Sequence, residues 1–237
     1  MRDPELFLRE VTFQSPEWDY LPHIERKQII AHLFRRQFEF MKERVPFYAK
    51  RYAKVNSSDL QTYEDCAEHV PSLRKTEIRD LPSPFDLLPS GFLASKNFFL
   101  HRGTGGTTGR PTSMFYSYND WKAIVDGMVR PLKGELDDFR RPVVAFDSYN
   151  QGHISGPIFD DTVRAIGGVP ICRTFGSKDG DALKQMQYHR CNLLIGPAVS
   201  THKGGSIETL LEADSTLGLN YLDGGYITTI FLSLIHI

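Results

Sequence analysis

Residues 103–112 read Gly-Thr-Gly-Gly-Thr-Thr-Gly-Arg-Pro-Thr, and this is where the chain's residue types most directly suggest chemistry. Gly105, Gly106 and Gly109 leave no side chain between backbone N–H groups and an anion. Thr104, Thr107 and Thr108 add hydroxyl donors, and Arg110 adds a permanent charge with a planar fork of N–H groups. Such a set can wrap phosphate oxygens. It also suits a glycine-rich hairpin loop without a ligand, since Gly and Thr are ordinary turn residues. Two better-known phosphate loops are excluded. No Gly-x-x-x-x-Gly-Lys-Ser/Thr occurs around this loop, and a dinucleotide fingerprint would open a helix where β-prone Met114, Phe115 and Tyr116 follow instead.

Two further loops contain candidate residues. The first, 147–156, carries Tyr149, Asn150, Gln151, His153 and Ser155. The second, 196–206, offers small residues for a pocket floor in Pro197 and Ala198, with His202 and Lys203 able to attract an anion or to stand as exposed tips. Asp160 and Asp161 are neighbours on a helix and do not share a face, so a solvated helix start is expected rather than a metal site. His189 and Cys191 form no complete ligand set, and no metal ligands are assigned.

The elements that must position these loops follow from periodicity. Residues 25–44 place Ile30, Leu33, Phe34, Phe38 and Met41 at steps of three and four, predicting an amphipathic helix that Pro46 stops. Short helices start near Asp59 and Thr76. A strand before the glycine loop and another at 113–118 flank it. A helix over 119–132 is expected with Asn119 as its cap. Apolar runs at 142–146, 169–172, 192–195 and 226–231 read as strands, separated by helices at 158–166, 179–189 and 207–212. This alternation predicts an α/β fold, a layered parallel or mixed sheet with flanking helices, preceded by a small helical region. In such sheets ligands sit at the carboxyl ends of strands, which selects the loops after the strands at 142–146 and 192–195.

Composition is that of an ordinary globular protein: 41% hydrophobic and 24% charged residues, with a net charge of −1. That balance gives no reason to expect nucleic acid or an anionic membrane as partner. No run approaches the ~20 apolar residues of a membrane span. Cys66, Cys172 and Cys191 are three widely spaced cysteines, and the N-terminus lacks a signal-peptide core, so a reduced, cytoplasmic setting is expected.

The stretch Thr104-Gly105-Gly106-Thr107-Thr108-Gly109-Arg110-Pro111 resembles the Ser/Thr-Ser/Thr-Gly-Thr-Thr-Gly-x-Pro signature of AMP-forming (adenylating) ligases, departing from it at Gly105, where a hydroxyl residue is usual. Val45-Pro46-Phe47-Tyr48 is similar to the end of the leading helix in phenylacetate–CoA ligases, and 73–79 is loosely similar to a following segment of the same branch. The resemblance covers about 25–231. It implies ATP-dependent activation of a small-molecule carboxylic acid, of aryl or arylacetic type, with Mg2+ and with coenzyme A as acceptor. Related acyl-protein synthetases transfer to a protein instead, and a noncatalytic phosphate-binding α/β domain is the remaining alternative. The resemblance assigns Thr104 to Arg110 to the ATP phosphates and His153 to a position near the acyl substrate and the nucleotide, with Tyr149 and Ser155 of the same loop as further pocket candidates. The catalytic lysine, the adenine and ribose contacts and the magnesium ligand of the family lie in later segments, so no catalytic residue is assigned and the chain by itself is expected not to turn over. The final hexapeptide, Leu-Ser-Leu-Ile-His-Ile, resembles the translation of a transposon-type sequencing adapter. The expected organisation is therefore 1–92 helical, 93–231 an incomplete adenylation subdomain and 232–237 a non-native tail.

Overall fold

A computed structural model describes residues 3–11, 15–94, 96–103, 112–136, 142–149, 151–199, 205–222 and 228–231. The chain divides into two compact units, Met1–Trp121 and Lys122–Ile237. The division falls inside a helix, beyond the expected 92/93 boundary, so the first unit includes the strands that flank the glycine loop.

The first unit opens with α1 (Pro4–Glu10), where the Asp3 carboxylate accepts from Glu5 N at 2.8 Å, and continues through the single turn α2 (Glu17–Tyr20) to α3 (His23–Arg44). The apolar stripe of α3 serves two clusters. Ile29 packs with Phe7 and Leu21, and Phe38 with Tyr52, Leu60 and Cys66. Ile30, expected on the inner stripe, is instead 40% exposed, because Ile29 takes the inward position. Pro46 does more than end the helix: it opens α4 (Pro46–Arg51) at a position where a missing N–H costs nothing. A capping box at Thr62 and Asp65 starts α5 (Tyr63–His69), and α6 (Lys75–Arg79) follows.

Strands β1 (Phe98–Gly103) and β2 (Ser113–Ser117) pair antiparallel, and Gly103 lies opposite Ser113. α7 (Tyr118–Leu136) begins at once. Its cap is Ser117 rather than Asn119: Ser117 Oγ accepts from Asp120 N at 3.1 Å, and Asp120 Oδ2 accepts from Ser117 N at 2.9 Å.

The second unit is a parallel sheet built from β3 (Val144–Asp147), α8 (Ser155–Ala165), β4 (Val169–Cys172), α9 (Asp179–Tyr188), β5 (Leu193–Gly196), α10 (Ile207–Leu217) and β6 (Thr228–Phe231). The strand order is β4-β3-β5-β6. Strand residues alternate between two cores. Ala145, Leu193 and Ile195 pack on Leu132 and Leu136 of α7 and on Phe159 and Val163 of α8. Phe146 and Leu194 pack on Leu183 and Met186 of α9 and on Ile207 and Leu210 of α10. The α8 crossover moves the chain one way along the sheet and the α9 and α10 crossovers move it the other. Right-handed connections then require helices on opposite faces, as the two cores record.

Candidate functional site at the carboxyl ends of β3 and β5

β3 and β5 are neighbours whose connections leave toward opposite faces. Their carboxyl ends therefore border a crevice, the usual ligand position in an open parallel sheet. The sequence keeps the two ends close. Ser148 N continues the ladder to Ile195 O at 2.9 Å, and a Cβ placed on Gly196 would lie 2.3 Å from Ser148 Oγ. Only a residue without a side chain lets Ser148 occupy this crossing.

After β3, the residues expected at a substrate site lie on one turn leading into α8. Tyr149 stacks on Phe159, with ring centroids 5.2 Å apart and planes at 17°. Burial, reinforced by Asp147, pushes its hydroxyl up to about 12. His153 Nδ1 lies 3.1 Å from Ser155 Oγ and accepts from Ser155 N at 3.2 Å. A nitrogen that accepts an N–H carries no proton of its own, so the ring is neutral with its proton on Nε2; burial, which lowers its pKa, favours the same form. After β5, the carbonyls of Pro197 and Ala198 accept from Ile207 N at 2.9 Å and Glu208 N at 3.2 Å. The chain thus returns on itself, fixing both residues beside the start of α10. Ser206 caps that helix, its Oγ accepting from Thr209 N at 3.1 Å.

Thr104 to Arg110, together with Asn150, His202 and Lys203, lie outside the described residues. The β1–β2 ladder closes the two ends of the segment that contains Thr104 to Arg110.

Beneath the first loop lies a group that composition did not single out. Asp147 and Asp160 are buried, at 1% and 5% exposure, and Cys172 Sγ donates to Asp160 Oδ2 at 2.9 Å. The expectation of a solvated pair at Asp160 and Asp161 holds only for Asp161, which pairs with Arg164 at 2.6 Å. Both acids lie well inside α8, and Asp160 turns inward with Phe159 and Val163. Burial, then the neighbouring Asp160 carboxyl, pushes Asp147 up to about 8, against the opposing pull of hydrogen bonds from Tyr149 N and Gln151. A proton on Asp147 resolves the polar count. Among the described residues Asp160 Oδ1 receives no other hydrogen bond, and a proton on the adjoining Asp147 carboxyl gives it a donor. The Cys172 thiol rises to about 12 through burial and its bond to Asp160, so it is neutral and unreactive. The signal that could have found Asp160 was its place in the stripe 156, 159, 160, 163. Asp147 ended a buried strand, and its burial could be suspected only on that ground.

Among the described residues, no group of three or more His, Cys, Asp and Glu could hold a metal ion, and no helix is long and apolar enough to cross a membrane.

The fold is that of part of an adenylating CoA ligase. A crystal structure of 2-hydroxyisobutyryl-CoA ligase in complex with 2-HIB-AMP and CoA in the thioesterification state superimposes with a TM-score of 0.67 at 22% identity, covering 89% of this chain and 44% of that one. In sequence the chain is phenylacetate–CoA ligase-like: it is 27% identical over 144 residues to the phenylacetate–coenzyme A ligase of Thermus thermophilus, which spans 60% of this chain and 31% of that enzyme. The chain therefore corresponds to less than half the length of the ligases it matches. No family model matches it.

Proposed function

We propose that the chain is the phosphate- and acid-binding part of an AMP-forming carboxylate–CoA ligase. The observation that carries this reading is the Thr- and Gly-rich segment Thr104 to Arg110, bounded by the β1–β2 hairpin in a chain similar to such ligases in fold and sequence. In the reaction, a carboxylate oxygen attacks the α-phosphorus of ATP and the bond to pyrophosphate breaks. The thiolate of coenzyme A then attacks the acyl carbonyl carbon and AMP leaves.

Thr104, Thr107 and Thr108, the amides of Gly105, Gly106 and Gly109, and Arg110 bind the β- and γ-phosphates and offset charge on the leaving pyrophosphate. Mg2+, when bound with ATP, would supply further positive charge against the phosphates that these residues hold. The acid, of aryl or arylacetic type, lies against Tyr149, His153, Ser155, Pro197 and Ala198, where a neutral His153 and a tyrosine ring give a mainly apolar wall. The three free thiols fit a cytoplasmic setting.

Titration of ATP with Mg2+ into the chain tests the assignment. Binding is expected, and Thr107→Val with Thr108→Val should weaken it about tenfold or more, two hydroxyl donors being worth roughly 1 kcal/mol each. Unchanged affinity in the double variant would remove the loop from the reading.

A second reading, that the chain alone binds without turning over, is favoured by its coverage of 31% and 44% of the two relatives. Phenylacetate-dependent exchange of labelled pyrophosphate into ATP by the isolated chain would contradict it.

A further inference from the structure

Gly205 is held from three sides. Its N–H donates to Asp179 Oδ1 at 3.0 Å, at the first residue of α9. Its carbonyl accepts from Ser148 Oγ at 2.8 Å, just past the end of β3. Arg173, just past the end of β4, pairs with the same Asp179 oxygen at 2.7 Å and donates from Nη2 to Ser177 O at 2.6 Å. The Arg173 and Asp179 side chains are only 13% and 14% exposed. The Gly205 φ is +87°, which side-chain-bearing residues rarely adopt, and a Cβ there would lie 3.5 Å from Arg173 Nη1.

Neighbouring needs do not explain this arrangement. α10 is capped by Ser206, its next N–H groups are taken by Pro197 and Ala198, and the register of β5 is set by its own ladders. A largely buried ion pair is expensive to desolvate, and the left-handed backbone restricts this position to glycine. Both are concentrated on one residue at the mouth of the β3–β5 crevice. Gly205 lies two residues before Ile207, whose N–H donates to Pro197 O at 2.9 Å, so fixing Gly205 fixes the start of α10 on which Pro197 and Ala198 are held.

We propose that Ser148, Arg173 and Asp179 are positioning residues: clasped on Gly205, they set Pro197 and Ala198 as a wall of the carboxylic-acid pocket. This rests on the reading above that these residues line such a pocket. The clasp acts on the acid and leaves the nucleotide phosphates alone.

The test is the affinity of the whole chain for phenylacetate and, separately, for ATP with Mg2+, in Asp179→Asn, Asp179→Glu and Ser148→Ala, with amide hydrogen exchange followed at Ile207 and Glu208, whose N–H groups donate to Pro197 and Ala198. Asn keeps the acceptor for Gly205 while removing the charge that Arg173 holds, and Ser148→Ala removes one hydrogen bond at a small side chain, so both should fold. Phenylacetate binding is expected to weaken about tenfold in Asp179→Asn and Ser148→Ala, with ATP affinity unchanged and recovery in Asp179→Glu. Exchange at both amides should quicken by a similar factor. Equal losses for acid and ATP, or unchanged acid affinity in both variants, would overturn the proposal. If the unaltered chain binds no phenylacetate, the acid-pocket reading falls. Exchange then decides the clasp alone: faster exchange confined to these amides supports it, and unchanged exchange overturns it.

Discussion

Asp147 has a consequence that pH can reveal. In the unfolded chain its carboxyl ionises near the ordinary value of about 4, whereas in the fold it is pushed up to about 8. The folded state therefore holds a proton that the unfolded state has released, and the resulting stabilisation is complete below about pH 4 and lost as pH rises through about 8. The melting temperature of the chain should fall between pH 5 and pH 9. Asp147→Asn keeps an acceptor for Tyr149 N and supplies a permanent donor to Asp160, so it should flatten that slope and stabilise the chain at pH 9 by about 1–3 kcal/mol. An equally steep slope in Asp147→Asn would assign it to other groups. Asp160→Leu should tell the same story from the partner's side, raising stability at high pH by removing the repulsion. The burial of Asp160 was legible in the helical stripe shared with Phe159 and Val163. The pairing was not, because β3, α8 and β4 bring Asp147, Asp160 and Cys172 together from separate stretches.

The elements that build the crevice were largely readable. Apolar runs at 142–146, 169–172 and 192–195 became β3, β4 and β5, and Ser206 heads α10 as its side-chain chemistry requires. Boundaries moved where a local cap outweighed periodicity. Ser117 with Asp120 started α7 ahead of Asn119, and α8 began at Ser155, before Pro157. Strand order could not be read, since it depends on which faces the crossovers cover. The crossing of β3 and β5 is the tightest point of that order and gives a prediction at this scale. Gly196→Ala forces Ser148 Oγ aside and should destabilise the chain by about 1–3 kcal/mol. In Ser148→Ala the obstructing oxygen is gone, so the same substitution should cost markedly less. Denaturant melts of the four-member cycle would show this as non-additivity, and strict additivity would mean that the two side chains do not compete. Ser206→Ala should cost about 1 kcal/mol through the lost cap.

At the scale of the whole sheet, β4 is an edge strand among the described residues. Val169 N and Arg173 N both point to β3, so Pro170 lies on the alternate, outward register, where it offers no N–H to another chain. Pro170→Val should leave the melting temperature nearly unchanged while promoting concentration-dependent self-association in analytical ultracentrifugation; a variant as monodisperse as the parent would show that the edge is guarded otherwise. The sheet order also bears on how the protein is made. β3 lies between β4 and β5, yet Asn192, whose side chain and backbone bond to Val144, lies 48 positions further along the chain. On a ribosome adding 5–20 residues per second, roughly 2–10 s separate the emergence of β3 from that of the strand that fills its second side. During that interval the nascent chain presents Ala145 and Phe146 on a central strand paired on one side only, the stage at which a holding chaperone would have most to bind.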